Sequence, residues 1–179
     1  EGQGFAEFRA AVPIRVIEVE LRDVTIGGEH LGHDGSGAIT LRTDLYELTV
    51  RLPDDVVNRR DLNAAKQAVR EAIAEELDGQ NQYSNQTRGI DDGSGDQSIQ
   101  SANSFVDARE PEIRTALTNA KREKLQNRGW SISYTIGDGT TEHTEGLTYR
   151  EIRGQEQGRL NRARVQVRIE EEIRAADSD

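Results

Sequence analysis

The sequence predicts an α+β fold: a mostly antiparallel sheet of about five strands, in the order ββααβββ, with two helices packed on one face. Apolar residues alternate with polar ones in the N-terminal and C-terminal thirds of the chain, which is typical of strands. In the middle third, apolar residues recur at helical spacing in two separate segments. Because 179 residues suit one domain of ordinary size, we expect residues 1–179 to form a single α+β domain.

The N-terminal third predicts two long strands. Residues 14–26 are rich in β-branched side chains, with Ile17 and Val19 alternating onto one face and a change of face near Asp23. The glycine-rich residues 27–37 are predicted to be loop. Residues 38–52 form the second strand, whose inward-facing set is Tyr46, Leu48, Val50 and Leu52, and Pro53 stops it. Neighbouring strands of this kind usually pair antiparallel.

Two helices follow in the middle of the chain. The first begins after an N-cap at Asp61 and ends at Gly79. Its apolar stripe is Leu62, Ala65, Val69, Ala72, Ile73 and Leu77. The second helix is predicted to begin near Asp107, because Asp107 and Glu110 have capping-box spacing and Pro111 suits a first turn. Ile113, Ala116, Leu117 and Ala120 form its buried stripe.

The C-terminal third predicts three more strands. Residues 130–136 alternate strictly, and the glycines of residues 137–139 suit a tight hairpin turn into a returning strand at 140–149. Residues 162–170 contain a period-two apolar set, which predicts a final strand. That set is Ala163, Val165, Val167 and Ile169.

A long polar loop is predicted between the helices, at residues 80–104, because most of this segment shows neither period. Its many amide side chains suit a loop laid against a neighbouring subunit, and Gln82, Asn85 and Gln97 are its candidate interface residues. Two alternatives remain open: a solvated connection, and a calcium site made by the loop aspartates. Those aspartates are Asp91, Asp92 and Asp96.

Arginines dominate the charge pattern near the C-terminus. The candidate interface residues here are Arg150, Arg153, Arg162, Arg164 and Arg168, with only Glu151 and Glu156 opposing them up to residue 168. Guanidinium groups form bidentate pairs with carboxylates, so we expect contacts with carboxylates within the fold or across a subunit contact. Nucleic acid is disfavoured as the partner, because the chain carries a net charge of −10 and lacks interleaved aromatic residues.

The chain has 33 acidic and 23 basic residues, and only three of the basic residues are lysines. This composition resembles that of proteins from salt-loving archaea and their viruses. Dense carboxylates keep a surface hydrated at molar salt, where their mutual repulsion is screened. A mesophile with a GC-rich genome is the alternative source of such arginine use. No apolar run is long enough for a transmembrane helix, so no membrane contact is expected.

The sequence offers no catalytic constellation. Cysteine is absent, and no nucleophile elbow or phosphate-binding loop is present, so we expect a protein that is not an enzyme and needs no cofactor. His30, His33 and Asp34 lie close together in the sequence and are a metal-binding candidate. Because they lie in a glycine-rich segment, exposed loop histidines are the favoured interpretation.

One segment is similar to a known family. Residues 44–77, "DLYELTVRLPDDVVNRRDLNAAKQAVREAIAEEL", consist of a strand, a proline break and an amphipathic helix. This pattern resembles the tail-terminator and tail-completion proteins of tailed viruses, which form rings between head and tail. The resemblance implies a virion component of a haloarchaeal tailed virus, forming a homo-oligomer or ring through subunit contacts. The alternative is a small-ligand or metal-dependent domain in the cytoplasm of a halophilic host.

Overall fold

The computed structural model confirms the α+β class. It describes residues 6–19, 23–26, 29–33, 39–79, 86–94, 99–155 and 158–177. Within them, eight strands and six helices follow one another along the chain. The N-terminal elements are β1 (Ala6–Val19), β2 (Asp23–Ile26), β3 (Glu29–His33), β4 (Ile39–Leu52), α1 (Asp54–Arg59), α2 (Leu62–Gly79), β5 (Gln86–Asp91) and β6 (Ile99–Gln100). The C-terminal elements are α3 (Ala102–Ala108), α4 (Glu110–Asn127), β7 (Trp130–Thr135), β8 (Thr141–Leu147), α5 (Tyr149–Ile152) and α6 (Gly158–Asp177).

The chain divides into two compact units. The N-terminal unit comprises Glu7–Leu52 and Asn63–Ile113, and the C-terminal unit comprises Glu1–Ala6, Pro53–Leu62 and Arg114–Asp179. The chain therefore changes unit within α2 and within α4. The organisation as a single domain stays a prediction.

A four-stranded antiparallel sheet forms the N-terminal unit's framework, in the order β4-β1-β5-β6. The predicted pairing of the first two long strands is confirmed, because β1 and β4 are neighbours. The buried side chains of β1 are Phe8, Val12, Ile14 and Val16, whereas Ile17 and Val19 lie at odd positions on the other face and are half-buried. The predicted strand over residues 14–26 corresponds to two elements of different sheets: β1, which already includes Ala6–Pro13, and β2.

The polar loop predicted at residues 80–104 is wrong over much of its length. β5 occupies Gln86–Asp91 and pairs antiparallel with β1, with Ile14 opposite Ile90 and Arg15 opposite Gly89. Backbone pairing satisfies the N–H and C=O groups of β1 on this side, and this does not require an apolar run. Ile90 alone supplies the buried apolar anchor of β5, with none of its surface exposed.

The helix predictions are confirmed for α2 and in part for α4. α2 spans Leu62–Gly79 and buries Ala65, Val69 and Ile73, as the periodicity predicts. The predicted helix at Asp107 is instead two helices: α3 begins after Ser101, whose side-chain oxygen accepts a bond from the Ser104 N–H at 3.0 Å. α4 follows at Glu110, with Pro111 in its first turn.

The sequence predicts one sheet of about five strands, whereas the C-terminal unit contains a separate two-stranded sheet. β7 and β8 form the predicted hairpin, and Gly139 in its turn has a φ of 90°, which favours glycine. α4, α5 and α6 supply the rest of the unit's core. The buried side chains that pack together are Leu125, Trp130, Ile132, Ile152, Val165, Ile169 and Ile173.

The predicted strand at residues 162–170 is wrong, because these residues lie within the 20-residue helix α6. Val165 and Ile169 fit both a period of two and a helical period of four, so the alternation did not distinguish the two structures. The buried side of α6 is Asn161, Val165, Ile169 and Ile173, at intervals of four. Val167, which the strand interpretation placed with them, is 55% exposed. The helix-favouring arginine, alanine, glutamine and glutamate residues agree with this result.

Candidate arginine pocket

A pocket of about 370 Å³ lies in the C-terminal unit, and it is lined by three arginines and three uncharged polar residues. The lining residues are Gln126, Asn127, Tyr149, Arg150, Arg153 and Arg162. This volume lies within the range of ligand-binding clefts. The three arginines are among the interface residues that the sequence predicts, but Arg162 lies on the helix α6 rather than on the predicted strand.

The short helix α5 positions Arg150 and Arg153. The Thr148 side-chain oxygen accepts a hydrogen bond from the Glu151 N–H at 3.1 Å, and the Glu151 carboxylate accepts one from the Thr148 N–H at 3.0 Å. This reciprocal capping box fixes the first turn of α5. Arg150 and Arg153 are three residues apart on that turn, which places them on one side of it.

α6 supplies Arg162, and a glycine allows α6 to begin close to α5. The Gly158 N–H donates to the Gln155 carbonyl at 2.8 Å. A Cβ atom at Gly158 would overlap the Ile152 carbonyl oxygen and lie 2.9 Å from the Arg153 carbonyl oxygen. The absence of a side chain at this position therefore permits the approach that brings Arg153 and Arg162 to one pocket.

The three pocket arginines have no carboxylate partner within the part of the chain that the structure describes. The Nε atom of Arg162 is buried and has no acceptor there either. Other arginines of the same unit are paired: Arg122 Nε lies 3.0 Å from a Glu170 oxygen, and Arg128 Nη2 lies 2.6 Å from a Glu172 oxygen. The pocket thus concentrates positive charge that its described surroundings leave uncompensated.

The end of α4 lowers the cost of clustering these cations. Gln126 and Asn127 belong to its last turn, where the helix dipole places roughly half a negative elementary charge. That partial charge offsets only part of three guanidinium charges. A ligand with anionic oxygens would supply the rest, since arginine binds carboxylate and phosphate through paired N–H donors. The amide groups of Gln126 and Asn127 and the Tyr149 hydroxyl can add uncharged hydrogen bonds.

Arg164 and Arg168 do not line the pocket, so the five predicted arginines do not form one surface. Arg164 donates to the Ser133 carbonyl of β7 at 3.1 Å. The Arg168 guanidinium lies over the Trp130 ring, 5.1 Å from its centre, and Arg128 lies 4.1 Å from the same centre. The Arg164 hydrogen bond and the Arg168 cation–π interaction stabilise the packing of α6 on β7. Arg164 and Arg168 thus bind atoms of the fold itself.

Several other candidates from the sequence lie outside the described residues. These are the loop residues Gln82, Asn85 and Gln97 and the metal candidate Asp34. His30 and His33 lie in β3 rather than in a loop, where their backbones pair with Thr25 and Asp23 of β2. Among the side chains that the structure describes, no three histidine, aspartate or glutamate residues are close enough to hold a metal ion.

Two of the loop aspartates have local hydrogen-bond partners. The Asp91 carboxylate accepts from the Arg15 guanidinium at 3.3 Å and from the Gly93 N–H at 2.9 Å. The Asp92 carboxylate accepts from the Ser94 N–H at 2.9 Å. These contacts form turns at the end of β5, and Asp96, the third candidate calcium ligand, lies outside the described residues.

The sequence interpretation missed three pocket residues: Gln126, Asn127 and Tyr149. The helix end before Gly129 was visible in the sequence, but nothing indicated that it would lie beside Arg150. The capping-box spacing of Thr148 and Glu151 was also present, and it would have placed Tyr149 and Arg150 on the first turn of a helix.

Comparisons with known proteins give no match among protein-family models, curated proteins or solved structures. No helix within the described ranges combines the length and apolar character that a membrane crossing requires. The functional interpretation therefore depends on the chemistry of the pocket and of the molecular surface.

Proposed function

We propose that this protein is a non-catalytic structural subunit that assembles with other protein subunits, and that the arginine pocket binds carboxylates of a neighbouring subunit. One observation supports this most: Arg150, Arg153 and Arg162 line one pocket and have no carboxylate partner among the described residues. Positive charge held in this way attracts an anionic group, whose oxygens arginine binds through paired N–H donors.

The net charge of the chain indicates which kind of partner binds in the arginine pocket. With a net charge of −10, every copy of this protein carries many more carboxylates than it can pair with its own cations. A second copy or another acidic subunit therefore has the complementary chemistry. The same net charge repels a nucleic-acid backbone, so we do not propose nucleic acid as the partner.

We further propose a place for this subunit in the tail or the head–tail joint of a tailed virus with a salt-loving host. The support is the pattern in residues 44–77, together with the arginine-rich, lysine-poor composition. β4 ends at Leu52 before Pro53, and the amphipathic helix α2 follows, with the short helix α1 between them. The proposed location is the virion, and the cytoplasm of a halophilic host is the alternative.

A second candidate is favoured by the same pocket: a domain that binds a small organic anion. The volume of about 370 Å³ would admit a dicarboxylate or a phosphate ester. The chemistry recognised is the same in both cases, an oxyanion beside arginine. The source of the oxyanion differs between the two candidates. A small ligand would bind the isolated subunit, whereas the carboxylates of a neighbouring subunit bind only on assembly.

Charge reversal separates these candidates. Arg150 and Arg153 are exposed, so the variant R150E/R153E should fold normally, and R159E provides a matched control on an exposed arginine outside the pocket. Light scattering at low salt should show weaker assembly for R150E/R153E and no change for R159E. Equal assembly by all three proteins would contradict the proposal.

Calorimetric titration of the monomer with malonate and with inorganic phosphate tests the second candidate, which predicts saturable binding that R150E/R153E abolishes.

A further inference from the structure

The N-terminal half of β4 exposes a row of apolar side chains to solvent. Ile39 is 60% exposed, Leu41 38% and Leu45 66%, and all three lie at odd positions on one face of the strand. In the C-terminal half of the strand, the buried residues Leu48, Val50 and Leu52 lie at even positions. The exposed row is therefore additional to the side chains that fix β4 onto the core.

β4 also lies at the edge of its sheet. The strand order β4-β1-β5-β6 gives β4 one neighbour, β1, and no strand among those the structure describes pairs with its other side. Edge strands usually carry inward-pointing charges, prolines or bulges that prevent pairing with another chain. Residues 39–46 have no proline, and their two charged residues are Arg42 and Asp44. An exposed apolar edge of this length readily accepts another strand.

Arg42 and Asp44 make this edge complementary to itself. The Arg42 Nε atom donates to both Asp44 carboxylate oxygens, at 3.3 and 3.2 Å, and both side chains are exposed. They lie on the same face of the strand, on either side of Thr43. In an antiparallel pair of identical strands centred on Thr43, Arg42 of each copy faces Asp44 of the other. The same register places Leu41 of each copy opposite Leu45 of the other, on the opposite face.

We propose that β4 pairs antiparallel with β4 of a second copy, in the register centred on Thr43. The interaction is isologous, because the same residues of both copies meet around a two-fold axis. Backbone hydrogen bonds of the edge, two leucine pairs and a four-charge cluster of alternating sign hold the copies together. This surface is separate from the arginine pocket, so the inference stands independently of the proposed function.

Charge exchange tests the register. R42D places two aspartates opposite each other across the two copies, and D44R places two arginines opposite each other, so either variant alone should dimerise about tenfold or more weakly. An equal mixture of the two variants has opposite charges at both positions and should recover a dimer of wild-type affinity. Sedimentation velocity measures all four samples. Dimers of wild-type affinity for each separate variant, or no recovery in the mixture, would overturn the proposal.

Cysteine cross-linking provides a second readout, because the chain has no cysteine of its own. Position 43 faces position 43 of the second copy, so T43C should form a disulfide-linked dimer under mild oxidation. Position 49 is exposed on the same strand but far from its equivalent in this register, so T49C is the control. Cross-linking by T43C alone supports the register, and equal cross-linking by both variants, or by neither, contradicts it. The β4 dimer should also form in R150E/R153E, because these substitutions change the arginine pocket and not β4. Failure of the dimer proposal can therefore be distinguished from failure of the pocket proposal.

Discussion

Arg122 and Glu170 join α4 to α6 through a bidentate ion pair, with hydrogen bonds of 3.0 Å from Nε and 3.1 Å from Nη2 of the arginine. Gln166, one turn before Glu170 on α6, donates a third bond to this carboxylate at 2.7 Å. The Arg122 hydrogen bond lowers the pKa of Glu170 from its ordinary value of 4.5, and partial burial opposes this only in part. The pair therefore stabilises the packing of α6 on α4 as long as Glu170 is ionised.

Acid should remove the contribution of this pair. Because the pKa of Glu170 is lower in the folded protein than in the unfolded chain, its contribution is full above about pH 4.5 and is lost as the pH falls through the folded value. About a third of both side chains is exposed, so we expect E170Q to lose only about 0.5–1 kcal/mol near neutral pH. Urea unfolding at several pH values should show the difference from wild type shrinking towards zero in acid. E171Q, on the exposed side of α6, should show no such dependence.

Gly158 should be intolerant of a side chain. A Cβ atom there would overlap backbone oxygens of Ile152 and Arg153, which cannot move without shifting α5 against α6. We expect G158A to cost about 2–3 kcal/mol of unfolding free energy, in the upper range for overpacking. G137A is the control, because nothing lies within 4 Å of its added Cβ atom. Denaturant unfolding of both variants measures this, and equal stability would show that α5 and α6 do not approach as closely as described.

Lys66 should contribute more to stability than Lys124, whose side chain is more exposed. Its Nζ atom lies 3.0 Å from Asp107 and 2.9 Å from Glu110, so it ties α2 to α3 and α4 within the N-terminal unit. The Glu110 hydrogen bond, then that of Asp107, raises the pKa of Lys66, so it is charged at neutral pH. Lys124 lies 3.2 Å from Asp54 in a more exposed pair. Thermal melts should therefore show a larger loss for K66M than for K124M, and the reverse order would contradict this account.

Salt should stabilise the folded protein. A net charge of −10 destabilises the compact state by self-repulsion, and at about 1 M salt the screening length falls to roughly 3 Å. Melting temperatures should therefore rise from low to molar potassium chloride. A flat or falling trend would remove the interpretation as a salt-adapted protein. Salt weakens exposed ion pairs but not apolar contacts, so the β4 dimer, which also has leucine pairs and backbone hydrogen bonds, should weaken less with salt than carboxylate binding in the arginine pocket.

Secondary structure was predicted correctly from the sequence where only one periodicity, helical or strand-like, fitted a segment. The end of β4 before Pro53, the bounds of α2 and the alternation of Trp130 and Ile132 in β7 agree with the structure. It failed where a short apolar set fits two periods: Val165 and Ile169 lie four residues apart, which suits a strand face and a helix face equally. Burial against Trp130 and Ile152 decides for the helix, and this information is not local.

The site was predicted only in part for the same reason. The sequence identified Arg150, Arg153 and Arg162 as arginines with few acidic residues near them in the chain. It also predicted a strand at residues 162–170, which would have placed Arg162, Arg164 and Arg168 on one face. In the helix α6, Arg162 lies on a different side from Arg164 and Arg168, which are four residues apart and contact β7 instead of the pocket. β5 was missed because its pairing with β1 depends on backbone hydrogen bonds and on Ile90 alone.

The most direct test of the account is the native mass of the purified protein, measured by sedimentation velocity over a wide range of concentrations at low and molar potassium chloride. A structural subunit that associates through the β4 edge should form a dimer or a larger closed assembly that dissociates on dilution. A single species at the monomer mass of 19.9 kDa, at every concentration and in both salts, would contradict self-assembly.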